Sequence, residues 1–215
     1  TASFNTGVGQ NTLELNTTGA SNVAVGVQAL RANTTASNNT AVGKSALGAN
    51  TTGASNVAVG SLALDACTTG GSNVAIGTSA LSASTTAGLN TAIGSSALAA
   101  NTSGSANVAL GYAALTANTT ADNNTGVGYH ALVNNTTGTN NVAVGQTALN
   151  QNITGEGNTC LGREAGYNIT GGGNVVIGGS SATGTYTPAY NITSQSNYIS
   201  IGNSSSTNAY IKVGW

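Results

Sequence analysis

The sequence predicts an all-β fold, a parallel β-solenoid or β-roll of about twelve coils built on a 17-residue repeat. Three observations predict it: an unbroken period, a short strand pattern inside each period, and turn-forming residues between strands. The motif Asn-(Val/Thr)-(Ala/Gly)-(Val/Ile/Leu)-Gly begins at Asn5 and recurs at Asn22, Asn39, Asn56, Asn73, Asn90, Asn107, Asn124, Asn141 and Asn158, the last with Cys160 in the small place. Every step is 17 residues, with no insertion or deletion. An eleventh copy starts one residue early at Asn174, and a degenerate twelfth reads Asn197-Tyr-Ile-Ser-Ile-Gly202. A period this regular requires units of one shape stacked on one another.

The second residue of the motif is mostly Val or Thr, the third is small, and the fourth is aliphatic, from Val8 and Val25 to Leu161 and Ile177. Alternation of this kind with β-branched residues reads as a short strand, its second and fourth side chains on one face and the third on the other. Val, Ala and Leu are all expected inside a thin coil. The fifth residue is Gly throughout, which suits a corner of positive φ or a close backbone approach. An Ala-Leu pair, such as Ala29-Leu30 or Ala97-Leu98, then supplies an apolar anchor on a second wall. A polar corner follows, such as Asn50-Thr-Thr-Gly53, made of residues that turn the chain through side-chain-to-backbone bonds. The leading Asn, once per coil from Asn22 to Asn158, is expected to form a structural ladder of amides. Twelve coils at about 4.8 Å each give a rod of about 55 Å. Seventeen residues with two such corners leave no room for the paired helices of a helical solenoid.

Composition narrows the function. Charged residues are 4% of the chain, against about 25% in an ordinary soluble domain. A net charge of −1 offers nothing to nucleic acid or to an anionic membrane. No run approaches the roughly 20 apolar residues of a membrane span. Small apolar side chains, an Ala-rich wall and near-zero charge predict association with further copies, as a homotrimer. The chain opens at Thr1 without a signal-peptide pattern, which reads as a piece or processed product of something larger. Cys67 and Cys160 fall at different places in the repeat, several coils apart, which argues against a disulfide between them.

Titratable groups do not converge. His130 is the single histidine, beside Tyr129 at a variable place in the repeat, and the five carboxylates are scattered over different coils or walls. Zinc spacing is absent, so no catalytic residue, metal or cofactor is expected. The pairs Thr17-Thr18, Thr34-Thr35, Thr51-Thr52, Thr68-Thr69, Thr85-Thr86, Thr119-Thr120 and Thr136-Thr137 stack along one edge. They suit turn bonding, and as a rank of hydroxyls they are the basis for an alternative function, ice binding. The repeat fails after Gly178, which divides the chain into a shaft (1–178) and a modified C-terminal coil and tip or cap (179–215). That part holds the single proline, Pro188, and an aromatic group, Tyr186, Tyr190, Tyr198, Tyr210 and Trp215. These are receptor-contact candidates, since Tyr and Trp give amphipathic contact area; capping the solenoid is the other reading and the two can coexist.

Two resemblances rest on these motifs. The segments Asn73-Val-Ala-Ile-Gly77 and Asn90-Thr-Ala-Ile-Gly94 resemble the head repeats of YadA-like trimeric autotransporter adhesins, which implies a left-handed parallel β-roll packed as three chains. Units such as Asn124-Thr-Gly-Val-Gly-Tyr-His-Ala-Leu-Val-Asn-Asn-Thr-Thr-Gly138 resemble, over nearly the whole chain, the arrays of phage tail fibres and related bacterial surface proteins. The segment 197–215 is similar to the β-segment leading into the endosialidase-type intramolecular chaperone of such fibres, which assembles the trimer and cleaves itself away. The resemblance implies a structural and adhesive role on a virion or cell surface, with a cell-surface glycan or protein as receptor. No peptidase activity is implied, because the chaperone's own sequence is not in this chain.

Overall fold

The computed structural model describes residues 2–178, 194 and 196–202. Twelve three-residue strands, one per coil, stack in chain order into one parallel sheet, from β1 (Thr6–Val8), β2 (Val23–Val25), β3 (Thr40–Val42) and β4 (Val57–Val59) through β5 (Val74–Ile76), β6 (Thr91–Ile93), β7 (Val108–Leu110) and β8 (Thr125–Val127) to β9 (Val142–Val144), β10 (Thr159–Leu161), β11 (Val175–Ile177) and β12 (Ile199–Ile201). Like pairs with like: Val23 lies against Thr40, Ala24 against Ala41, Val25 against Val42. The sheet stays in register across the shortened repeat, Thr159 against Val175. The missing residue is taken from the polar corner, where Asn158 reaches the Gly171 carbonyl 13 residues on instead of the usual 14.

The glycine after each strand is required by packing. At Gly26 φ is +127°, and a Cβ would stand 2.6 Å from the carbonyl oxygen of Gly43 in the next coil. Glycines stacked on glycines turn the corner with no room for a side chain.

The second wall carries no strand. It is a stack of turns with left-handed residues two apart, as at Gln28 (φ 62°) and Leu30 (φ 49°). Its N–H groups alternate between neighbours: Gln28 donates back to Gln10 at 2.9 Å and Leu30 donates forward to Ala46 at 3.1 Å. A left-handed Leu costs about 1–2 kcal/mol, but burying its side chain returns about 1.5–3 kcal/mol. Burial wins, because Leu30, Leu47 and their equivalents through Leu149 are fully buried.

These leucines correct one expectation. The strand side chain that points inward is the small third one: Ala24, Ala41, Ala58 and Ala75 are fully buried. The branched residues at the second and fourth places point outward. A coil this thin has space for one large side chain between its walls, and the Leu from the second wall fills it.

Two buried amide ladders run beside this core. In the first, the Oδ1 of each leading Asn accepts the backbone N–H of the next, as in Asn39 to Asn22 and Asn56 to Asn39, both 2.9 Å. Its Nδ2 donates to the corner carbonyl 14 residues on, as Asn22 to Ala36. The rung is thus chiefly side chain to backbone, with amide-to-amide bonds added at places such as Asn158 to Asn141. A second ladder, which the strand motif does not signal, comes from the Asn of the polar corner. Asn33 donates to Asn16 at 2.8 Å, and Asn118, Asn135 and Asn152 each donate to the Asn 17 residues before. Both ladders converge on one carbonyl per coil: Asn39 and Asn50 share that of Gly53.

Candidate functional site

With the third residue turned in, every strand shows the second and fourth to solvent. Two ranks therefore run the length of the sheet, one of mixed Val and Thr (Val57, Val74, Thr91, Val108) and one wholly aliphatic (Val59, Ile76, Ile93, Leu110). In the aliphatic rank exposure reaches 43% at Leu110 and 49% at Leu161, while others, Val59 and Ile93 among them, are half-buried. No charged residue occupies either rank in any described strand. Strands about 10 Å wide stacked over about 53 Å give a face on the order of 500 Å² in plan. The largest apolar patch of an ordinary monomer is of about this size and is often functional.

The Thr corner behaves differently. The first Thr of each pair spends its hydroxyl at the surface, donating to the carbonyl of the next coil: Thr17 to Thr34 at 2.9 Å, Thr34 to Thr51 at 3.0 Å, and onward to Thr136 and Ile153. The second Thr, as at Thr35 and Thr52, is exposed. One half of the rank is therefore bonded as turn mortar, and the other half shows to solvent.

Of the receptor-contact candidates, Tyr186, Tyr190, Tyr210 and Trp215 lie outside the described residues. Tyr198 is described, and its place corrects the alignment of the last repeat. The strand register sets Val175 against Ile199 and Val176 against Ser200, so Tyr198, not Asn197, takes the place of the ladder Asn. Its N–H receives the last rung, 3.0 Å from Asn174 Oδ1, while its side chain is 39% exposed. The offset arises because Asn197, with φ +62°, fills the left-handed place that precedes the ladder residue in the other coils.

Another aromatic group emerges from the stacking. Tyr112 and Tyr129 are 17 residues apart, so their rings meet in successive coils, centroids 5.5 Å apart and planes 13° from parallel. His130 lies on Tyr129 at 4.0 Å and 5.6 Å from Tyr112. The tyrosines are about half exposed, and they sit just past the glycine corner that bounds the sheet face. The 17-residue spacing is the sequence signal for this pair.

Chemistry elsewhere is sparse. No group of three His, Cys, Asp or Glu side chains suited to a metal occurs among the described residues, and no helix among them is long and apolar enough to cross a membrane. A depression over Ala117, Asn134, Thr136 and Gln151 has no titratable side chain in its lining. Burial pushes the Cys160 thiol up to about 12 and raises that of Cys67, so both are inert, buried groups. The single ion pair among the described residues, Arg163 to Glu164 at 3.2 Å, lies between neighbours in sequence on the surface. The aliphatic sheet face is the feature that the fold does not itself use. In comparisons with known proteins, no family model, no curated protein and no solved structure matches this chain.

Proposed function

We propose that the chain is a structural and adhesive segment of a homotrimeric fibre, of the phage tail fibre or bacterial surface adhesin type. One observation carries the reading: two unbroken, uncharged ranks of branched side chains along a rigid twelve-strand face. Water-exposed aliphatic area of this extent is stabilised by burial at roughly 25 cal/mol per Å², and copies of the same chain present a face of matching length and pitch. The count of three follows the resemblance to trimeric adhesins and fibres. In this reading the rod holds its C-terminal aromatic segment away from the particle or cell. Three copies then engage a surface glycan or protein together, and weak contacts add by avidity.

Sedimentation equilibrium tests the assembly. The expected mass is three times the 20.7 kDa of the chain, and lysines at Val59 and Ile93 together are expected to give monomer, whereas Thr35→Lys on the polar corner leaves the mass unchanged. A monomer at all concentrations contradicts the reading. The ice-binding alternative rests on the exposed second Thr of each pair, as at Thr35 and Thr52, and predicts thermal hysteresis that disappears when these residues are replaced with bulkier ones.

A further inference from the structure

We infer that Tyr112, Tyr129 and His130 form a binding site on the side of the shaft for a neutral glycan chain lying along the rod. The place of Tyr112 and Tyr129 in the repeat is an outward one that the fold leaves free. In other coils it holds Val27, Lys44, Ser61, Thr78 or Gln146, so packing does not explain two successive tyrosines there. Their rings are already parallel and held against each other and against His130, so little side-chain freedom is lost when a ligand lands on them. On one side the matching places hold Ser95 and Ser96, too small to cover the outer part of Tyr112, which is 52% exposed.

The chemistry around the rings selects the ligand. Toward the C-terminal end the same edge carries Gln146, Thr147 and the Arg163–Glu164 pair, which neutralises itself at 3.2 Å. An amide, hydroxyls and a balanced pair suit a partner rich in hydroxyls, while flat aromatic surface suits the C–H face of a sugar ring. A polyanion finds no net positive field, since the whole chain carries −1. Places equivalent by the repeat recur about every 4.8 Å along the axis, so the edge from Tyr112 to Arg163 is an extended strip suited to successive residues of a linear chain. The site is separate from the aromatic segment beyond Gly178 and does not depend on it.

Saturation-transfer NMR and isothermal titration with cellohexaose and chitohexaose test the inference on the full chain. Binding of either sugar is expected, with affinity reduced about tenfold, or about 1.4 kcal/mol, in Tyr112→Ala and Tyr129→Ala. Tyr112→Phe, which keeps the ring, is expected to stay close to wild type, and Tyr198→Ala to leave binding unchanged. Circular dichroism checks that each variant is folded. Absence of binding by both sugars, or binding that survives the double alanine variant, overturns the site. A change of sedimentation mass in the tyrosine variants also overturns it, since the rings then belong to contacts between copies. A wild-type chain that sediments as a monomer with sugar binding intact would count against the proposed fibre assembly alone.

Discussion

The coils from Asn101 to Asn152 and the coils around Cys67 and Ser84 share one backbone, yet only the first group has an unbroken corner ladder. Between Asn101 and Asn152 each amide donates to the one before it, and the corner oxygens below Asn152 all have partners. At coils four and five the ladder places are taken by Cys67 and Ser84. There Asn50 Oδ1 and Ser84 Oγ are buried without a partner, and Asn152 Oδ1 is left the same way where Ile169 follows it. Cys67 still points a weak Sγ donor at the Gly70 carbonyl, 3.4 Å away, in imitation of the Asn it replaces. The change at Ile169 has a packing counterpart. Its coil has Gly166 in the place of the core Leu, and the vacated space is filled by Cys160 and Ile169, whose atoms lie 2.5 and 3.0 Å from where a Gly166 Cβ would be. A repeat protein of this type thus tolerates exchange of core volume between places in a coil, but exchange at a ladder place leaves a polar atom unpaired, one coil before Cys67 and Ile169 and on Ser84 itself.

Substitutions at the two ladders expose this difference. The largest effect is expected at the first ladder. Asn107→Ala removes the acceptor of the Asn124 N–H and the donor to the Ala121 carbonyl, both buried, and is expected to cost about 2–4 kcal/mol in urea denaturation. Asn118→Ala, in the unbroken part of the corner ladder, loses its bonds to Asn101 and Ala121 and is expected to cost about 2 kcal/mol. Up to about pH 10 the pH dependence is smaller. With Cys160 ionising near 12 in the folded chain and near 9.0 when exposed, its contribution is fully present below about 9 and is lost as pH rises toward 12. One pH unit above 9 costs about 1.4 kcal/mol, a loss that Cys160→Ala is expected to reduce, Cys67 keeping its own share. The smallest change is a gain. Cys67→Asn gives Asn50 Oδ1 its missing donor and is expected to stabilise by about 1 kcal/mol; a loss of stability there would show that the corner ladder is not what distinguishes the two groups of coils.

Much of this architecture is legible in the sequence because a fixed period translates directly into vertical neighbours. The period alone pairs Asn22 with Asn39 and Thr17 with Thr34. Which strand face is inward is not legible in the same way, since alternation gives two faces without naming them, and Val25 or Ile93 looks more like core than Ala24. The smallness of the third place through the regular repeats, up to Cys160, is the clue, because only a tight interior against Leu30 and its equivalents demands it. The corner Asn residues are visible as turn formers, but their ladder requires knowing that this corner is buried. Tyr112 and Tyr129 are masked by the density of aromatic residues near the C-terminus, and only their 17-residue spacing sets them apart. The one-residue offset at Tyr198 falls where the repeat has decayed and the strand motif no longer fixes the register.

Oxidative cross-linking tests most directly whether copies of the chain meet on the outward sheet face. A cysteine at Ile93, midway along the aliphatic rank, is expected to give covalent dimers between copies under mild oxidation in dilute solution. A cysteine at Ser82, on the second wall, is expected to give none. Equal cross-linking at both places, or none at Ile93, would contradict the account.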